Sequence, residues 1–521
     1  MPAVPIPIVS PAESAAWDAR AEAHGIPLAS LMESAGRAAA AVLLDRFPHA
    51  ARQGVLVAAG PGNNGGDGWV LARTLHRLGV PVWVAPAEGK GTPLHDAAAA
   101  LARADGVRSV GADGPWPSVA LLVDALLGTG ASGPPRGAIA AVVERLRDLS
   151  LPILALDGPT GLDLGSGASH GAPAAACSVT FGGLRRGHLL ARDESGDIVV
   201  VDIGLPPADP ALPELVDDDH AAQWLPPLAA NEHKGSRGRI VIVGGAPGMV
   251  GAVRLAGRAA FAAGAGLVHI VAPAASLRDL ASVEPDLQTS EWDDGAPPAR
   301  TAELLARADA VVVGPGLGRG PDARSRVEAT LAHSGKAPVL LDADALSAFP
   351  GGAAILRPLL KGRAAVLTPH LGEFRSLFPD LSSGIEHDPW AAAGKSADQV
   401  GAVVLVKGVP SVVGEPGRGA RWTVAAGNPG LATGGSGDVL SGLIAAMLAR
   451  GLDPAVATAL GAQALGRAAD IAARRVTARA MRPMDVVAVL PDLWRAWEIR
   501  RGARPAPRAP VLVELERPRS V

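Results

Sequence analysis

The sequence predicts an α/β protein built from two doubly wound domains, and three observations support that fold class. Short apolar runs typical of buried strands alternate with helical patterns along most of the chain. These runs form two series, separated by a stretch rich in Pro and Asp at residues 204–230. Gly, Asp and Asn residues cluster in the loops directly after the runs, which is where open α/β sheets bind their ligands.

The first series predicts an N-terminal domain over residues 1–210. Its predicted strands lie at 55–59, 81–85, 120–124, 152–157 and 197–203, with helical patterns between them such as 32–46 and 138–149. Strands that alternate with helices favour a parallel sheet in which the helices form the crossovers.

The second series predicts a C-terminal domain over residues 231–500. It begins with RIVIVGGAPG at 239–248, and further predicted strands lie at 267–272, 309–313, 338–342, 364–368 and 402–406. Residues 211–230 are predicted to be a linker. The Pro- and Arg-rich residues 501–521 are predicted to be a flexible tail.

Composition favours a cytoplasmic enzyme that binds small molecules. The 521 residues are 48% hydrophobic, and 48 basic against 51 acidic side chains give a net charge of −3, which supports neither a nucleic-acid partner nor a membrane surface. The first residues do not resemble a signal peptide, and no apolar run suits a membrane span. The single cysteine, Cys177, excludes an intramolecular disulfide and is expected to be a small buried residue.

Three loops of the N-terminal domain carry the candidate chemistry. They read GPGNNGGDG at 60–68, VDALLGTGASGPPRG at 123–137 and LDGPTGLDLGSG at 156–167. Each follows an apolar strand, so all three are expected to face one crevice. They supply oxygen ligands for a hard cation from Asn64, Asp124 and Thr160, while glycines at 128, 130 and 133 let backbone N–H groups approach a phosphate.

A simpler interpretation applies to each acidic residue alone, because an Asp at a strand end is often a turn former or a helix N-cap. The recurrence of glycine-rich, oxygen-bearing loops after successive strands favours a functional site instead.

These same loops resemble the NAD(P)H-hydrate epimerase domain, a Rossmann-like fold, over most of residues 1–210. The resemblance implies that the hydrated dinucleotide is bound by Asn63, Asn64, Gly65, Gly66 and Asp67, and its phosphates by Gly128, Thr129, Gly130, Ala131, Ser132, Gly133 and Pro134. It further implies a K⁺ ion on Asn64, Asp124 and Thr160. Asp157 is then the residue that binds substrate near the damaged ring and transfers protons.

The strongest motif of the C-terminal domain is GNPGLATGGSGDVLSG, starting at residue 427. Its glycines precede a helix predicted over 438–449, whose free N–H groups form an anion site. Asp438 lies at the mouth of that site and can take a proton from an attacking hydroxyl. The alternative is a plain helix N-cap, which does not require so many glycines.

This motif resembles the ribokinase-like fold. Together with VVGPGLGRG at 312–320, LLDADAL at 340–346, LTPHLGEF at 367–374 and LVKGVPSVV at 405–413, it is similar to ADP-dependent NAD(P)H-hydrate dehydratase over roughly 231–490. The resemblance implies that the hydrate is contacted by Ala252, Gly316, His370 and Asp438, with Asp438 as the base. The nucleotide is then contacted by Lys407, Gly408, Val409, Pro410, Ser411, Gly434, Gly435, Ser436 and Gly437, with Mg²⁺ on its phosphates.

Several residues stay open between two interpretations. A lone histidine such as His370 is usually a surface or satisfied core residue, although its TPHxGE context favours a ligand contact. Lys407 is either an ordinary solvated lysine or a phosphate contact. Asp342 and Asp344 either support a metal ion or simply end a strand, and Lys234 has no assigned role.

Together the two halves predict a bifunctional repair enzyme for NADHX and NADPHX, the hydrated forms of NADH and NADPH. The first half interconverts the R and S epimers, and the second dehydrates the S epimer using ADP, with ATP possible, to give AMP and phosphate. A homo-oligomer is expected. Two alternatives remain: a ribokinase-like small-molecule kinase with an N-terminal regulatory nucleotide-binding module, and a first half that binds without catalysis. The choices between ADP and ATP, and between NADHX and NADPHX, stay open.

Overall fold

The computed structural model describes residues 5–281, 284–320, 322–503 and 510–518. The chain divides into two compact units. The N-terminal unit comprises the described residues up to Leu212 together with 510–517, and the C-terminal unit comprises those from Pro213 to 503.

The N-terminal unit contains nine strands and eight helices before Leu212. The strands are β1 (Ile8–Val9), β2 (Val55–Ala59), β3 (Val82–Pro86), β4 (Arg108–Ser109), β5 (Leu121–Ala125), β6 (Ile153–Leu156), β7 (Cys177–Phe181), β8 (Leu184–Arg185) and β9 (Asp197–Val201) among the described residues. The helices are α1 (Pro11–Ala23), α2 (Leu28–Arg46), α3 (Pro48–Gln53), α4 (Asn63–Arg77), α5 (Pro93–Ala104), α6 (Gly137–Asp148), α7 (Arg186–Leu190) and α8 (Arg192–Ser195) in that same part of the chain.

The main sheet of this unit is doubly wound. Its parallel strands lie in the order β9-β7-β6-β5-β2-β3-β4, so the chain runs outward from β2 and then returns to β5. Alternate residues of β2 belong to different cores: Val55 and Val57 pack with residues of α2 and α4, whereas Leu56 and Ala58 pack with residues of α6. The sheet is therefore covered on both faces, and its ligand crevice is expected between β2 and β5.

The C-terminal unit forms the second sheet. Its described strands are β10 (Glu214–Leu215), β11 (Arg239–Val243), β12 (Leu267–Ala272), β13 (Gln288–Glu291), β14 (Ala310–Val313), β15 (Val339–Leu341), β16 (Ala365–Leu367), β17 (Val403–Val406), β18 (Ser411–Glu415) and β19 (Gly419–Val424). Its described helices are α9 (Asp218–Trp224), α10 (Val250–Ala262), α11 (Ala274–Ala281), α12 (Ala299–Ala306), α13 (Asp322–His333), α14 (Asp344–Ser347), α15 (Ala353–Leu360), α16 (Leu371–Leu377), α17 (Pro389–Val400), α18 (Ser436–Ala449), α19 (Pro454–Val476) and α20 (Pro483–Gly502), with 3₁₀ turns at Pro379–Leu381 and Pro429–Leu431.

This sheet is also wound outward from its first central strand. The order β13-β12-β11-β14-β15-β16-β17 is parallel, and the antiparallel strands β18 and β19 extend it beyond β17. The direction of winding reverses between β11 and β14. Helix α18 packs into the core with α10 and α19, and its residues Val439, Leu443 and Ile444 are fully buried. The prediction of two doubly wound α/β domains is confirmed.

Two predicted boundaries are wrong. The predicted linker at 211–230 contains β10, which pairs with β19, and α9, whose Ala221 is fully buried in the C-terminal core. Pro and Asp suggested a linker, but 11 of its 20 residues are apolar, and several of them anchor the segment in the C-terminal core. No helix among the described residues is long and apolar enough to cross a membrane.

The predicted flexible tail at 501–521 contains a further strand, β20 (Val511–Leu515). It pairs antiparallel with β9 and so belongs to the N-terminal unit. The VLVEL sequence is rich in β-branched and apolar residues that suit a sheet edge, which the Pro- and Arg-rich surroundings obscured. Residues 504–509 and 519–521 of the predicted tail lie outside the described residues.

Candidate active sites

The first candidate site lies at the carboxyl ends of β2, β5 and β6, where the N-terminal sheet reverses its winding. Two glycines of the GPGNNGGDG loop are needed for packing, because a Cβ on Gly60 would lie 1.9 Å from the carbonyl oxygen of Leu126 and one on Gly65 would lie 1.8 Å from that of Gly60. Gly130 and Gly133 have open space instead. The glycine-rich motif thus combines a close crossing of two loops with an accessible backbone.

Asp124 and Thr160 form a buried pair at the centre of this site. The Thr160 hydroxyl donates to Asp124 Oδ1 at 2.7 Å, and the Thr160 N–H donates to Oδ2 at 2.7 Å. Burial raises the pKa of Asp124 in spite of these hydrogen bonds. A nearby cation would stabilise the ionised carboxylate.

Asn64 completes a set of three oxygen ligands at these strand ends. Its Nδ2 donates to the carbonyl oxygen of Leu156 at 3.2 Å, whereas its buried Oδ1 has no hydrogen-bond partner. An unpartnered buried oxygen is costly unless a ligand satisfies it. One carboxylate, one amide oxygen and one hydroxyl form a donor set that suits a hard cation of low charge.

Asp157 lies at the end of β6 with its carboxylate held from two sides. Oδ2 accepts hydrogen bonds from the Thr129 N–H at 2.6 Å and from the Thr129 hydroxyl at 2.5 Å, and the Arg185 guanidinium lies 3.2 Å from Oδ1. Burial alone would raise the pKa of Asp157, but Arg185 and Thr129 outweigh it and hold that pKa below its usual value. The carboxylate is therefore ionised near neutral pH.

Of the other predicted residues of the first site, several line a small pocket, whereas Asn63 lies at the start of a helix. Gly128 lies against the carboxylate of Asp157, where a Cβ would be 2.9 Å from Oδ2. Gly128, Ala131, Gly133 and Thr160 line one small pocket. Asn63 begins α4, and its Oδ1 accepts a hydrogen bond from Thr92. Thr129 was expected at the phosphates, but its hydroxyl is directed to Asp157.

Asp67 lies on the first turns of α4, and its pKa is shifted in the opposite direction to that of Asp157. Burial raises the pKa of Asp67 well above its usual value, and the neighbouring Asp157 and Asp18 raise it further. Two carboxyl groups in one site whose pKa values are shifted in opposite directions are the pattern expected of an acid and a base.

Sequence reasoning missed Arg185 and His188. Arg185 lies on β8, which follows β7 directly and pairs with β1. Its Nε donates to the Thr129 hydroxyl at 2.8 Å. The strand that precedes LRRGH, β7, was not among the predicted strands, so the sequence analysis did not place this motif at a strand end.

The second candidate site surrounds the N-terminus of α18. The helix begins at Ser436, two residues before the predicted start, and its N-cap Gly435 has a left-handed φ of +100°. Burial, followed by the charge of Asp342, raises the pKa of Asp438 to about 7, while Lys407 opposes the shift. Asp438 is thus half ionised near neutral pH beside free backbone N–H groups.

Lys407 connects the strand end of β17 to this helix. Its ammonium group lies 2.8 Å from Asp342 Oδ1 and 3.9 Å from Glu373 Oε2. A Cβ on Gly437 would be 3.5 Å from the lysine nitrogen, so the charge lies directly at the helix N-terminus. Ser441 on α18 donates to Asp342 Oδ2 at 2.7 Å. Asp342 therefore joins Lys407 to α18 and does more than end a strand.

His370 is the N-cap of α16. Its Nδ1 accepts hydrogen bonds from the N–H groups of Gly372 and Glu373, and its side chain is 61% exposed. The sequence left a satisfied histidine and a ligand contact open, and the structure gives the ring a capping partner on one nitrogen. The other nitrogen, Nε2, lies 3.3 Å from Glu373 Oε1, and much of the ring is exposed.

Gly316 and Ala252 come together as expected, at the point where the second sheet reverses its winding. A Cβ on Gly316, which has φ of +56°, would lie 2.6 Å from the carbonyl oxygen of Met249 and 3.3 Å from the Ala252 Cβ. Asp344 accepts a hydrogen bond from the Gly318 N–H at 3.0 Å. Asp344 therefore supports the loop after β14.

The remaining predicted nucleotide contacts lie in the turn between β17 and β18 and around the start of α18. The turn between β17 and β18 is closed by a hydrogen bond from the Ser411 hydroxyl to the Gly408 carbonyl at 3.1 Å, and Val409 is 73% exposed. A Cβ on Gly434 would meet only open space. Lys234 precedes β11. Its carbonyl oxygen packs against Gly266 so closely that a Cβ there would not fit, so the backbone of Lys234 makes a packing contact.

Comparison with known proteins matches both halves of the chain. Residues 240–492 match a family profile described as NAD(P)H-hydrate dehydratase, and residues 28–187 match one described as YjeF-related protein N-terminus.

Relatives similar over most of their length carry both halves in one chain. The bifunctional NAD(P)H-hydrate repair enzyme of Escherichia coli is 37% identical, with 90% of each chain covered. The enzyme of the same name from Salinibacter ruber is 35% identical over 90% of this chain and 92% of its own. That of Leishmania major is 34% identical over 88% and 89%.

Solved structures similar to the chain include an ADP/ATP-dependent NAD(P)H-hydrate dehydratase from Bacillus subtilis co-crystallised with ATP and Mg²⁺. It is 28% identical and covers 54% of this chain and 98% of its own, with a TM-score of 0.47. A ribokinase-like superfamily protein from Enterococcus faecalis is 24% identical over 54% and 95%, also with a TM-score of 0.47. On the extent of its similarity to the full-length relatives, the chain belongs to the family of bifunctional NAD(P)H-hydrate repair enzymes.

Proposed function

We propose that the chain repairs hydrated nicotinamide nucleotides with two active sites, an epimerase around Asp157 and an ADP-dependent dehydratase around Asp438. The observation that carries this proposal is the position of the two carboxylates. Each lies at the carboxyl edge of a doubly wound sheet, among groups that shift its pKa, and beside loops whose glycines leave room for a ligand.

In the epimerase, Asp157 binds the hydrated ring and moves the proton that accompanies reversible opening at C6. Residues 63–67 bind the dinucleotide and residues 128–134 lie along its phosphates. K⁺ is held by Asn64, Asp124 and Thr160, which the unpartnered Asn64 oxygen and the buried Asp124 carboxylate support. The ion supplies a positive charge that fixes these loops against the substrate.

In the dehydratase, the oxygen of the C6 hydroxyl attacks the β-phosphorus of ADP, and AMP leaves. Asp438 takes the proton of that hydroxyl during the attack. The N–H groups at the start of α18 hold the transferred phosphoryl group. The C6–O bond then breaks with the electron pair leaving on phosphate, and loss of a C5 proton restores the ring double bond. Phosphate leaves far more readily than hydroxide, which explains the use of a nucleotide in a net dehydration.

Ala252, Gly316 and His370 are proposed to contact the hydrate. Residues 407–411 and 434–437 are proposed to contact the nucleotide, with Lys407 on its phosphates. Among the described residues no cluster of three or more His, Cys, Asp or Glu side chains could hold a metal ion, so Mg²⁺ is proposed to be held mainly by the nucleotide phosphates, whose charge it neutralises.

The test supplies a mixture of both NADHX epimers with Mg²⁺, K⁺ and ADP, and follows the absorbance of reduced nicotinamide together with released phosphate. Wild type should restore all of the substrate, D438A none, and D157A only the S epimer apart from slow spontaneous exchange. Replacement of K⁺ by Li⁺ should slow conversion of the R epimer alone. A stable phosphorylated product would favour the kinase alternative, and absence of recovery with both ADP and ATP would contradict the repair function.

The preference for ADP over ATP rests on family resemblance and stays a proposal. Assembly into a homo-oligomer and a cytoplasmic location are proposed on the same basis.

A further inference from the structure

His188 is a fully buried histidine with both ring nitrogens partnered by backbone groups near the epimerase site. Nδ1 accepts a hydrogen bond from the Arg185 N–H at 3.1 Å, and Nε2 lies 2.5 Å from the carbonyl oxygen of Asp157. It lies on α7, whose Gly187 packs so closely on the loop after β6 that a Cβ there would be 2.5 Å from the carbonyl oxygen of Asp163.

These partners fix the protonation state of the ring. A backbone N–H can only donate, so Nδ1 must present a lone pair to Arg185. A backbone carbonyl can only accept, so Nε2 must carry the proton and donate it to Asp157. The imidazole is therefore neutral, and burial agrees with this by lowering the pKa of His188 to about 4. The charged groups facing the ring, Arg185, Arg192 and Asp157, act on it with opposite signs.

The residue held by His188 has an unfavourable backbone conformation. Asp157 has φ of +62°, in the left-handed region that non-glycine residues rarely adopt. Such a conformation persists only where its surroundings impose it. The Asp157 N–H donates to the carbonyl of Val179 at 2.8 Å, and the Asp157 carbonyl accepts from His188, so hydrogen bonds fix both sides of its Cα.

We propose that His188 is a positioning residue for epimerisation: its Nε2–H holds the Asp157 carbonyl and so keeps the Asp157 backbone in the left-handed conformation that directs the carboxylate to Thr129, Arg185 and the substrate. This inference rests on the proposed role of Asp157 as the proton-transfer residue. His188 itself exchanges no proton with the substrate.

The experiment compares two substitutions that differ only in reach. In H188Q the amide nitrogen takes the place of Nε2 and donates to the Asp157 carbonyl. In H188N the side chain is one methylene shorter and loses that contact, while it keeps a polar group near Arg185. H188N should lower the kcat of epimerisation about 100-fold with little change in KM, and H188Q should restore it to within about tenfold of wild type.

The dehydratase activity of the same chain, assayed on pure S epimer, serves as the internal control and should be unchanged in both variants. In a D157A background H188N should have no further effect on epimerisation, because the carboxylate that His188 positions is absent. An equal loss in H188Q and H188N, or an additive loss in the D157A background, would overturn the positioning role.

A second measurement requires no variant. Imidazole ¹⁵N shifts of His188 in the folded full chain should show Nδ1 unprotonated and Nε2 protonated near neutral pH, and an imidazolium or the opposite tautomer would overturn the inference. Failure of the proposed function is distinguishable, because wild type itself would then not interconvert the epimers.

Discussion

The two candidate sites lie at the carboxyl edges of two similar sheets, but their surroundings shift the pKa values of the two carboxylates in opposite directions. Asp157 faces a buried arginine and two donors from Thr129, and its pKa is lowered. Asp438 is buried near Asp342 and Asp344, and its pKa is raised to about 7 in spite of Lys407. The sheet topology determines where each carboxylate lies, while its immediate neighbours determine its charge.

This contrast matches the chemistry proposed for each half. The lowered pKa of Asp157 favours the ionised form that accepts a proton, whereas the raised pKa of the neighbouring Asp67 favours the form that donates one. A carboxylate with a pKa near 7 suits Asp438, because it must remove the proton of a hydroxyl at the moment of phosphoryl transfer.

The largest predicted effect separates the two sites completely. D157N should reduce epimerisation by about three orders of magnitude while it leaves dehydration of the S epimer unchanged, and D438N should do the opposite. Each amide keeps the size of the carboxylate but accepts no proton. The measurement is the initial rate of each reaction with its own epimer.

Each variant is the folding control of the other, because both activities belong to one chain. Loss of both activities in either variant would show that the two sites do not act independently.

The second prediction concerns the arginine that distinguishes the sites. R185M should lower epimerisation about 100-fold and move the acid limb of its pH profile to higher pH, since a buried carboxylate without its cationic partner has a raised pKa. R185K keeps the charge but loses the hydrogen bonds of Nε to Thr129 and of NH1 to the carbonyl of Gly183. It should retain an intermediate rate with a smaller pH shift, and an unchanged profile in R185M would contradict the role of the ion pair.

The third prediction uses the opposite charge environment of Asp438. Because the base acts when ionised, kcat/KM of dehydration should rise as pH increases through about 7. D342N removes a negative neighbour that raises the pKa of Asp438, so the inflection should move to lower pH. K407M removes the positive neighbour that lowers it, so the inflection should move to higher pH, whatever its effect on the maximum rate.

A shift of both inflections in the same direction would show that Asp438 is not the group that titrates. S441A is the matched control for D342N, because it removes one hydrogen bond to Asp342 and leaves every charge in place. Its inflection should stay at the wild-type pH.

The sequence predicted the positions of the central strands well, because buried parallel strands are continuous apolar runs. The predicted strands at 55–59 and 267–272 coincide with β2 and β12. The charged and polar neighbours of each carboxylate were harder to predict from the sequence. Asp342 was left between two interpretations because Lys407 and Ser441 are 65 and 99 residues away in sequence, and no local spacing records such contacts.

The same limit explains why Arg185 and His188 were missed. Arg185 meets Asp157 from a strand 28 residues later in the chain, and His188 acts through backbone groups that any residue could provide. Glycine motifs identified the loop that carries Thr129, but Arg185, the cation that lowers the pKa of Asp157, comes from a strand outside the three loops.

The smallest predicted effect concerns β20, the strand that the composition of the tail concealed. It covers β9, in which Ile198, Val199, Val200 and Val201 are at most 1% exposed. Arg46 pairs with Glu514 at 2.6 Å, and Arg192 donates to the carbonyl oxygens of Leu515 and Glu516. Residues 511–516 therefore stabilise the N-terminal unit.

Truncation after residue 509 should destabilise the N-terminal unit by about 2 kcal/mol, the net value of a few backbone hydrogen bonds and one partly exposed ion pair. For a unit of this size, that lowers its melting temperature by about 4–8 °C.

The measurement follows heat inactivation of the two activities separately. Epimerisation should be lost at the lower temperature and dehydration at the wild-type temperature. E514Q, which removes only the ion pair with Arg46, should shift the first transition by about 1 °C or less. If heat inactivated dehydration and epimerisation of the truncated chain at the same lowered temperature, β20 would stabilise both units. That result would contradict a role of β20 in the N-terminal unit alone.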